Sequence, residues 1–197
     1  MSQIQITLLA NGIHSLERGF ETLNAALPTD IHAEWSANSQ LLLKEAIMFM
    51  HQGVELLLKQ MLAQQSDYLI FSDVQKAAVA VLEARKQNMS VFDLKPPHTV
   101  SYEEAITRVR AFVDPPELDE TLVRKLLELN RLRNSVEHYA LQADRNATVR
   151  LLAELRPGLL DLFSKHIPDF ATEATILLKR ANRTRNMAAY LLRELKP

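Results

Sequence analysis

The chain has 197 residues, a formal net charge of −1 at pH 7, and no cysteine. This length suits one domain or one domain with an appendage, and the lack of cysteine excludes disulfides, thiolate nucleophiles and cysteine-based zinc sites. Because the net charge is close to zero, no overall positive field attracts nucleic acid, and any such contact must use a local patch.

Hydrophobic periodicity predicts an all-α fold. Apolar residues recur at three- and four-residue steps between Ile6 and Leu23, which predicts a helix over residues 3–26. The longest helical stretch follows at residues 35–65, and its apolar face is wide enough to be contacted from more than one side. We therefore expect the long helix to lie in the core.

Glu55 lies on the narrow polar stripe of the long helix, four residues before Lys59. This spacing most often indicates a solvated ion pair of small energetic weight. The alternative is that Glu55 accepts hydrogen bonds from a cation on a neighbouring helix, and Arg133 is the candidate cation.

Residues 68–71 form a short apolar strip, which we interpret as a buried connector because no partner strand is evident. Asp73, or the serine before it, is expected to cap a helix over residues 74–87. Residues 101–104 have the Ser-x-x-Glu spacing of a capping box and should begin another helix. The middle of the chain is therefore also helical.

Helical patterns fill the rest of the chain as well. Residues 117–141 and 147–166 are predicted to form two helices, and the Pro-Gly pair at residues 157–158 is expected to break or kink the second. A last helix is predicted over residues 170–195, with a basic cluster at residues 179–185 of a kind that is usually solvated.

The helix at residues 117–141 carries polar residues on two of its sides. At about 100° per residue, Arg133 falls among the apolar residues, and His138 falls on roughly the opposite side, near Asn134. A guanidinium keeps its proton, so Arg133 needs an acceptor such as Glu55 or a water-filled cleft. The alternative is that Arg133 extends to solvent from the edge of the apolar face.

His138 is the histidine with the most suggestive neighbours. An imidazole can act as a general acid or base near neutral pH, and an arginine can donate a fork of hydrogen bonds to phosphate. With an RNA 2′-OH as nucleophile, such a pair needs no metal. An ordinary surface histidine fits the same pattern, and Arg131 is a second candidate for the paired arginine. The other five histidines are expected to be ordinary: His14, His32, His51, His98 and His166.

Residues 133–138, read as Arg-Asn-Ser-Val-Glu-His, resemble the Arg-x4–6-His signature of the HEPN superfamily (higher eukaryotes and prokaryotes nucleotide-binding domains), in which Asn often follows Arg. Residues 46–59 resemble the first long core helix of these domains. Residues 69–73 and 100–105 resemble segments that lie between the core helices. The resemblance covers about residues 35–141.

The resemblance implies an antiparallel helical bundle that forms a homodimer. It predicts a HEPN-like core at residues 35–141. Outside the resemblance, we expect an N-terminal helix at residues 1–34 to pack on this core and residues 142–197 to form a C-terminal helical extension of the same domain. It also implies two Arg–His motifs facing one cleft, RNA as a partner, and an antitoxin or other regulatory protein as a candidate partner.

The resemblance further implies a metal-independent endoribonuclease without a cofactor, of the toxin or antiphage-defence type. Arg133 would stabilise charge on the scissile phosphate, His138 would transfer protons, and Asn134 would position the phosphate or the histidine. Glu55 would orient Arg133. The products would carry a 2′,3′-cyclic phosphate and a 5′-hydroxyl.

Arg131 and Tyr139 are supporting candidates. Some HEPN toxins have a tyrosine two residues after the histidine, which a nucleotidyltransferase antitoxin modifies. In this chain Tyr139 follows His138 directly, which argues against that form of neutralisation. Two other functions stay open: a non-catalytic HEPN module that binds nucleotide, RNA or a protein, and a helical interaction protein without a site.

A cytoplasmic location is expected from two features. The first residues lack the positive segment of a secretory signal. No apolar run approaches the roughly 20 residues that a membrane span needs. We therefore predict no membrane association.

Overall fold

A computed structural model describes residues 6–27, 35–89, 97–138 and 143–175, and in these ranges the chain is helical without a β-strand. The predicted all-α class is confirmed. The described ranges contain a single-turn 3-10 helix, Asp67–Ile70, and seven α-helices: α1 (Leu8–Ala26), α2 (Ala37–Gln65), α3 (Val74–Lys86), α4 (Tyr102–Phe112), α5 (Glu120–His138), α6 (Arg145–His166) and α7 (Phe170–Glu173).

Local capping signals set several of these boundaries. Asp73 Oδ1 accepts a hydrogen bond from the backbone N–H of Lys76, at 2.9 Å, and α3 begins there. Ser101 Oγ accepts from the backbone N–H of Glu104, at 3.2 Å, and α4 begins there. Both caps were predicted, because a short polar side chain satisfies N–H groups that the first helical turn leaves unpaired.

Two predictions about interruptions have different outcomes. The apolar strip at residues 68–71 is a connector: it is largely 3-10 helix and ends in an isolated antiparallel bridge between Phe71 and Thr99. Of the break or kink predicted at residues 157–158, the break is not present, because α6 continues through Pro157 to His166. Buried leucines before and after Pro157 hold both halves of α6 against the core. The predicted helix beyond residue 175, with its basic cluster, lies outside the described residues.

The chain divides into two compact units: unit 1 comprises Met1–Leu57 and Pro116–Pro197, and unit 2 comprises Leu58–Pro115. The domain boundaries predicted at residues 34 and 141 lie outside the described residues. In the described ranges, no helix has both the length and the apolar character that crossing a membrane requires.

Unit 1 has an apolar core to which α1, α2, α5, α6 and α7 contribute. Glycines allow α1 and α2 to approach closely: a Cβ on Gly53 would lie 2.7 Å from the backbone nitrogen of Leu16, and a Cβ on Gly19 would lie 2.5 Å from Met50 Cγ. The buried side chains include Leu16, Leu23, Ile47, Val54, Leu126, Leu129, Leu155, Leu162 and Phe170.

Unit 2 is organised around two buried or half-buried cations. Arg108 donates to the backbone carbonyl oxygens of Leu69 (2.7 Å) and Phe71 (2.9 Å) and to Glu104 Oε1 (2.6 Å). Lys59 is only 6% exposed, and its Nζ donates to Thr99 Oγ1 at 2.9 Å. The expectation that Lys59 is solvated is therefore wrong, because the lysine reaches a partner inside its own unit.

An acidic residue outside the core joins the turn before α5 to the end of α6. The carboxylate of Glu117 accepts from Lys165 Nζ at 2.9 Å and lies 2.8 Å from His166 Nε2. These two contacts lower the pKa of Glu117 from 4.5 to about 2. Glu117 therefore stays charged in the folded protein at a pH where it is protonated in the unfolded chain.

Gly53→Ala tests the close approach of α1 and α2. The added Cβ meets backbone, so the helices must separate, and we expect a loss of about 1–3 kcal/mol in the free energy of unfolding. Gly158→Ala in α6 is the matched control, because its Cβ would meet only the flexible Leu122 side chain, at 3.3 Å. Denaturant unfolding should show Gly158→Ala as neutral or stabilising by up to about 1 kcal/mol. Equal effects of the two substitutions would contradict the close contact.

Glu117→Gln tests the carboxylate cluster through pH. A depressed carboxyl pKa adds stability that is complete above pH 4.5 and is lost as the pH falls from 4.5 towards about 2. We therefore expect Glu117→Gln to lower the free energy of unfolding at pH 7 and to flatten its slope across that interval. Urea unfolding at several pH values measures this, with Glu128→Gln as the control. An unchanged slope would show that the cluster adds no stability.

Candidate functional site

The candidate site lies in unit 1, where α2 meets α5. His51 on α2 is 5% exposed and Asn130 on α5 is 8% exposed, and His51 Nε2 lies 2.9 Å from Asn130 Oδ1. A buried polar side chain is costly unless it is hydrogen-bonded, and this contact satisfies one atom of each residue. The His51–Asn130 pair is therefore a polar link through an otherwise apolar helix contact.

The placement of this pair follows from the helical pattern. His51 lies between the buried residues Met50 and Val54 on α2, and Asn130 directly follows Leu129 on α5. Each polar residue thus falls on the face that its helix turns towards the core. The position of each residue on its helix buries its side chain, and the hydrogen bond between the two side chains offsets the cost of removing them from water.

Because Asn130 presents its carbonyl oxygen, His51 Nε2 carries the proton and donates. The other ring nitrogen, Nδ1, lies 3.9 Å from a carboxylate oxygen of Glu55, one turn further along α2. Burial lowers the pKa of His51 below its usual 6.5; Asn130, Glu55 and Glu137 oppose this shift and Arg133 reinforces it. His51 is therefore a neutral imidazole at pH 7.

Arg133 lies at the more exposed end of the same face of α5. Its guanidinium forms two contacts with the Glu137 carboxylate, at 2.5 Å and 3.2 Å, and Nη1 donates to Asn134 Oδ1 at 3.1 Å. The Arg133 side chain is 30% exposed. The charge is thus accommodated at the edge of the apolar face, where it finds acceptors on its own helix.

The predicted contact between Glu55 and Arg133 is not made. Both side chains belong to the described part of the chain, but Arg133 pairs with Glu137, and Glu55 lies beside His51. The physical reason is distance along the chain: Glu137 is one turn from Arg133, so the pairing needs no particular arrangement of helices. Glu55 and Arg133 still belong to one cluster, because both act electrostatically on His51.

The other predicted site residues have varied surroundings. Asn134 is exposed, and its Oδ1 accepts a hydrogen bond from Arg133. Arg131 is exposed, and its backbone carbonyl accepts from Ser135 Oγ at 3.0 Å. His138 ends α5, but its side chain lies outside the described part of the structure, as does Tyr139.

Sequence reasoning missed His51 and Asn130. His51 was expected to be ordinary, whereas it is buried, hydrogen-bonded to α5 and electrostatically coupled to Arg133. A usable signal was present: His51 precedes Glu55 by four residues, and Asn130 precedes Arg133 by three. Both spacings place the missed residue on the face of its helix that carries the predicted one.

The cluster has definite chemical limits. Among the described residues, no group of three or more His, Asp or Glu side chains could hold a metal ion. Arg133 could bind a phosphate oxygen if the phosphate displaced Glu137. This displacement would cost little, because an exposed ion pair of this kind contributes only about 0.2–1 kcal/mol. The arrangement therefore suits binding of an anion more than binding of a metal.

A second concave surface lies apart from this cluster. A cleft of about 590 Å³ is lined by α5, α6 and the turn before α6, and Lys125 pairs across it with Glu154 at 3.0 Å. Its charged lining residues are Arg124, Lys125, Arg150, Glu128, Asp144 and Glu154. Three basic and three acidic groups leave no net charge to attract a polyanion.

Comparison with known proteins adds nothing to this geometry. A scan against protein-family models and searches of curated proteins and of solved structures found no match to the chain.

Asn130→Asp tests the His51 contact. A carboxylate at this position would accept the Nε2 hydrogen bond and favour the imidazolium, so we expect the pKa of His51 to rise. NMR titration of the His51 ring should give a midpoint below 6.5 in the wild type and a higher one in the variant. Asn134→Asp is the matched control, because Asn134 bonds Arg133 and should shift the midpoint less. Equal shifts would contradict the specific contact.

Proposed function

We propose that this chain is a HEPN-like, metal-independent endoribonuclease that acts as a homodimer, as a toxin or a component of antiphage defence. The observation that carries the proposal is the pairing of Arg133 with Asn134 at the exposed end of α5, in the helix that His138 ends. A half-exposed arginine beside an amide is suited to bind a phosphate, and the following histidine can transfer a proton.

The geometry of a helix supports a site made by two chains. Residues five apart differ by about 140° around the axis and by about 7.5 Å along it, so Arg133 and His138 of one helix point apart. A second copy, related by a two-fold axis, can present its His138 to the Arg133 of the first. The homodimer is therefore part of the proposed mechanism.

The proposed reaction uses the RNA 2′-OH. The 2′-oxygen attacks the adjacent phosphorus while an imidazole of His138 accepts its proton, and the bond from phosphorus to the 5′-oxygen breaks as that oxygen takes up a proton from solvent. Arg133 stabilises the charge that builds on the phosphate oxygens, and Asn134 helps to orient them. The products are a 2′,3′-cyclic phosphate and a 5′-hydroxyl, and DNA is not cleaved because it lacks the 2′-OH.

Glu137 controls access to Arg133 in this proposal. The carboxylate occupies the donors that a phosphate would use, so RNA must displace it. The displacement is feasible because both side chains are about one-third exposed and water screens their attraction. We infer a resting state in which the arginine is neutralised and an RNA-bound state in which it is not.

A second candidate is a HEPN-like module that binds nucleotide, RNA or a partner protein without cleaving it. The neutralisation of Arg133 by Glu137 favours a partner protein over RNA as the ligand of such a module, because a neutral surface does not attract a polyanion. Failure to cleave RNA, combined with binding that needs Arg133, would support it.

The proposal predicts RNA cleavage in EDTA by the wild type. Arg133→Ala and His138→Ala should each lower the single-turnover rate by about 10²-fold or more, since each removes a charge-stabilising or proton-transfer group. Arg124→Ala, on the same helix but outside the cluster, is the matched control and should cleave normally. A fully deoxy substrate should stay intact. Cleavage that both variants retain, or that needs a divalent metal, would sink the mechanism.

Glu137→Gln tests the competition for Arg133. Removing the carboxylate charge should strengthen RNA binding by up to about fivefold, because an exposed pair of this kind contributes at most about 1 kcal/mol. Fluorescence anisotropy with a short RNA measures the affinity, and Glu128→Gln controls for the change in net charge. Equal gains in the two variants would show that only net charge matters.

A further inference from the structure

The His51–Asn130 hydrogen bond lies one turn from the residues of the proposed reaction. We infer that His51 and Asn130 are a buried positioning pair. Their hydrogen bond fixes the rotation of α5 about its own axis relative to α2, and this rotation determines the positions of the Arg133 and Asn134 side chains. This inference deepens the proposed function and rests on it. It assigns to two residues a role that the sequence motif does not include.

Helical spacing connects the pair to the exposed end of α5. Arg133, Asn134 and Glu137 follow Asn130 by three, four and seven residues, so they lie within about 60° of it around the axis. A hydrogen bond that holds Asn130 in place therefore also holds the face of α5 that carries Arg133, Asn134 and Glu137. Arg133 and Glu137 also contribute to the shifted pKa of His51, as charges near its ring would, Arg133 lowering that pKa and Glu137 raising it.

Apolar packing alone would restrain the rotation of α5 about its axis less than the hydrogen bond does. Leu126 and Leu129 are fully buried on α5, but contacts between leucines have no preferred direction and cores tolerate small repacking. A buried hydrogen bond has a direction, and losing it leaves polar atoms without a partner at that place. A rotation of α5 by 20° would move a side chain at about 6 Å from the axis by about 2 Å.

Displacements of that size matter for the proposed chemistry. A shift of about 1 Å in a positioning group can cost about 10²-fold in rate. The guanidinium of Arg133 must meet a phosphate whose position the rest of the cleft fixes. The His51–Asn130 bond thus acts on the rate through Arg133, without touching RNA, because both residues are buried.

Only one ring nitrogen of His51 bonds Asn130, so substitutions that mimic one or the other nitrogen can test the contact. The bonding atom is Nε2, at 2.9 Å from Asn130 Oδ1. A glutamine can place an N–H donor near the position of Nε2, whereas the shorter asparagine can reach only the position of Nδ1. We therefore expect His51→Gln to keep the bond and His51→Asn to lose it, although both introduce an amide.

The experiment measures single-turnover RNA cleavage for the two variants, with folding checked by circular dichroism. We expect His51→Asn to lower the rate constant at saturating RNA by about 10–10²-fold with little change in the RNA concentration at half saturation, and His51→Gln to stay within a few-fold of the wild type. Asn130→Ala should match His51→Asn, and it replaces that variant if His51→Asn fails to fold. Equal rates for His51→Asn and His51→Gln, high or low, would overturn the inference.

A second readout separates this inference from the proposed function. The NMR signal of the Arg133 guanidinium, assigned by its loss in Arg133→Lys, reports the surroundings of Arg133 without RNA. We expect the signal to shift in His51→Asn and to stay in place in His51→Gln. If the wild type does not cleave RNA, the ribonuclease proposal fails, and this shift still decides whether the pair positions Arg133. An unmoved signal in His51→Asn would refute the positioning role.

Discussion

The hydrogen bond between His51 and Asn130 is the contact on which the candidate site depends. It joins α2 to α5 in unit 1, where both residues are buried and a buried polar group is costly unless it is hydrogen-bonded. The two polar residues therefore restrict how the helices can be arranged. One turn further along α5, the same face carries Arg133 and Asn134 at the edge of the core.

α2 is held on two of its sides by different kinds of contact. Gly53 lets α1 approach so closely that a single methyl group would clash with backbone, and His51 ties α2 to α5 by a directional bond. The helix is thus a fixed reference against which α5 is placed. Arg133, by contrast, pairs with Glu137 at the surface, where an ion pair is easily exchanged. A rigid support with an exchangeable ion pair at its end is what the proposed ribonuclease would need if Arg133 is to bind a phosphate.

The sequence predicts the helices and their caps well, because these depend on neighbours in the chain. The caps at Asp73 and Ser101 were predicted from three or four residues each. Features that depend on how helices pack were not predictable. α6 continues through Pro157 because its buried faces hold it, and the role of His51 needs the position of Asn130, 79 residues away. Arg133 lies at the edge of its apolar face and pairs with Glu137 on its own helix, which is the alternative that the sequence left open.

The central claim is that Arg133 of one chain works with His138 of a second chain. The most direct measurement is the RNA cleavage rate of a purified heterodimer in which one chain carries Arg133→Ala and the other His138→Ala. A shared site leaves one of two clefts intact, so the account predicts about half of the wild-type rate, although each parent homodimer is inactive. A heterodimer that is stable but as inactive as its parents would contradict the account.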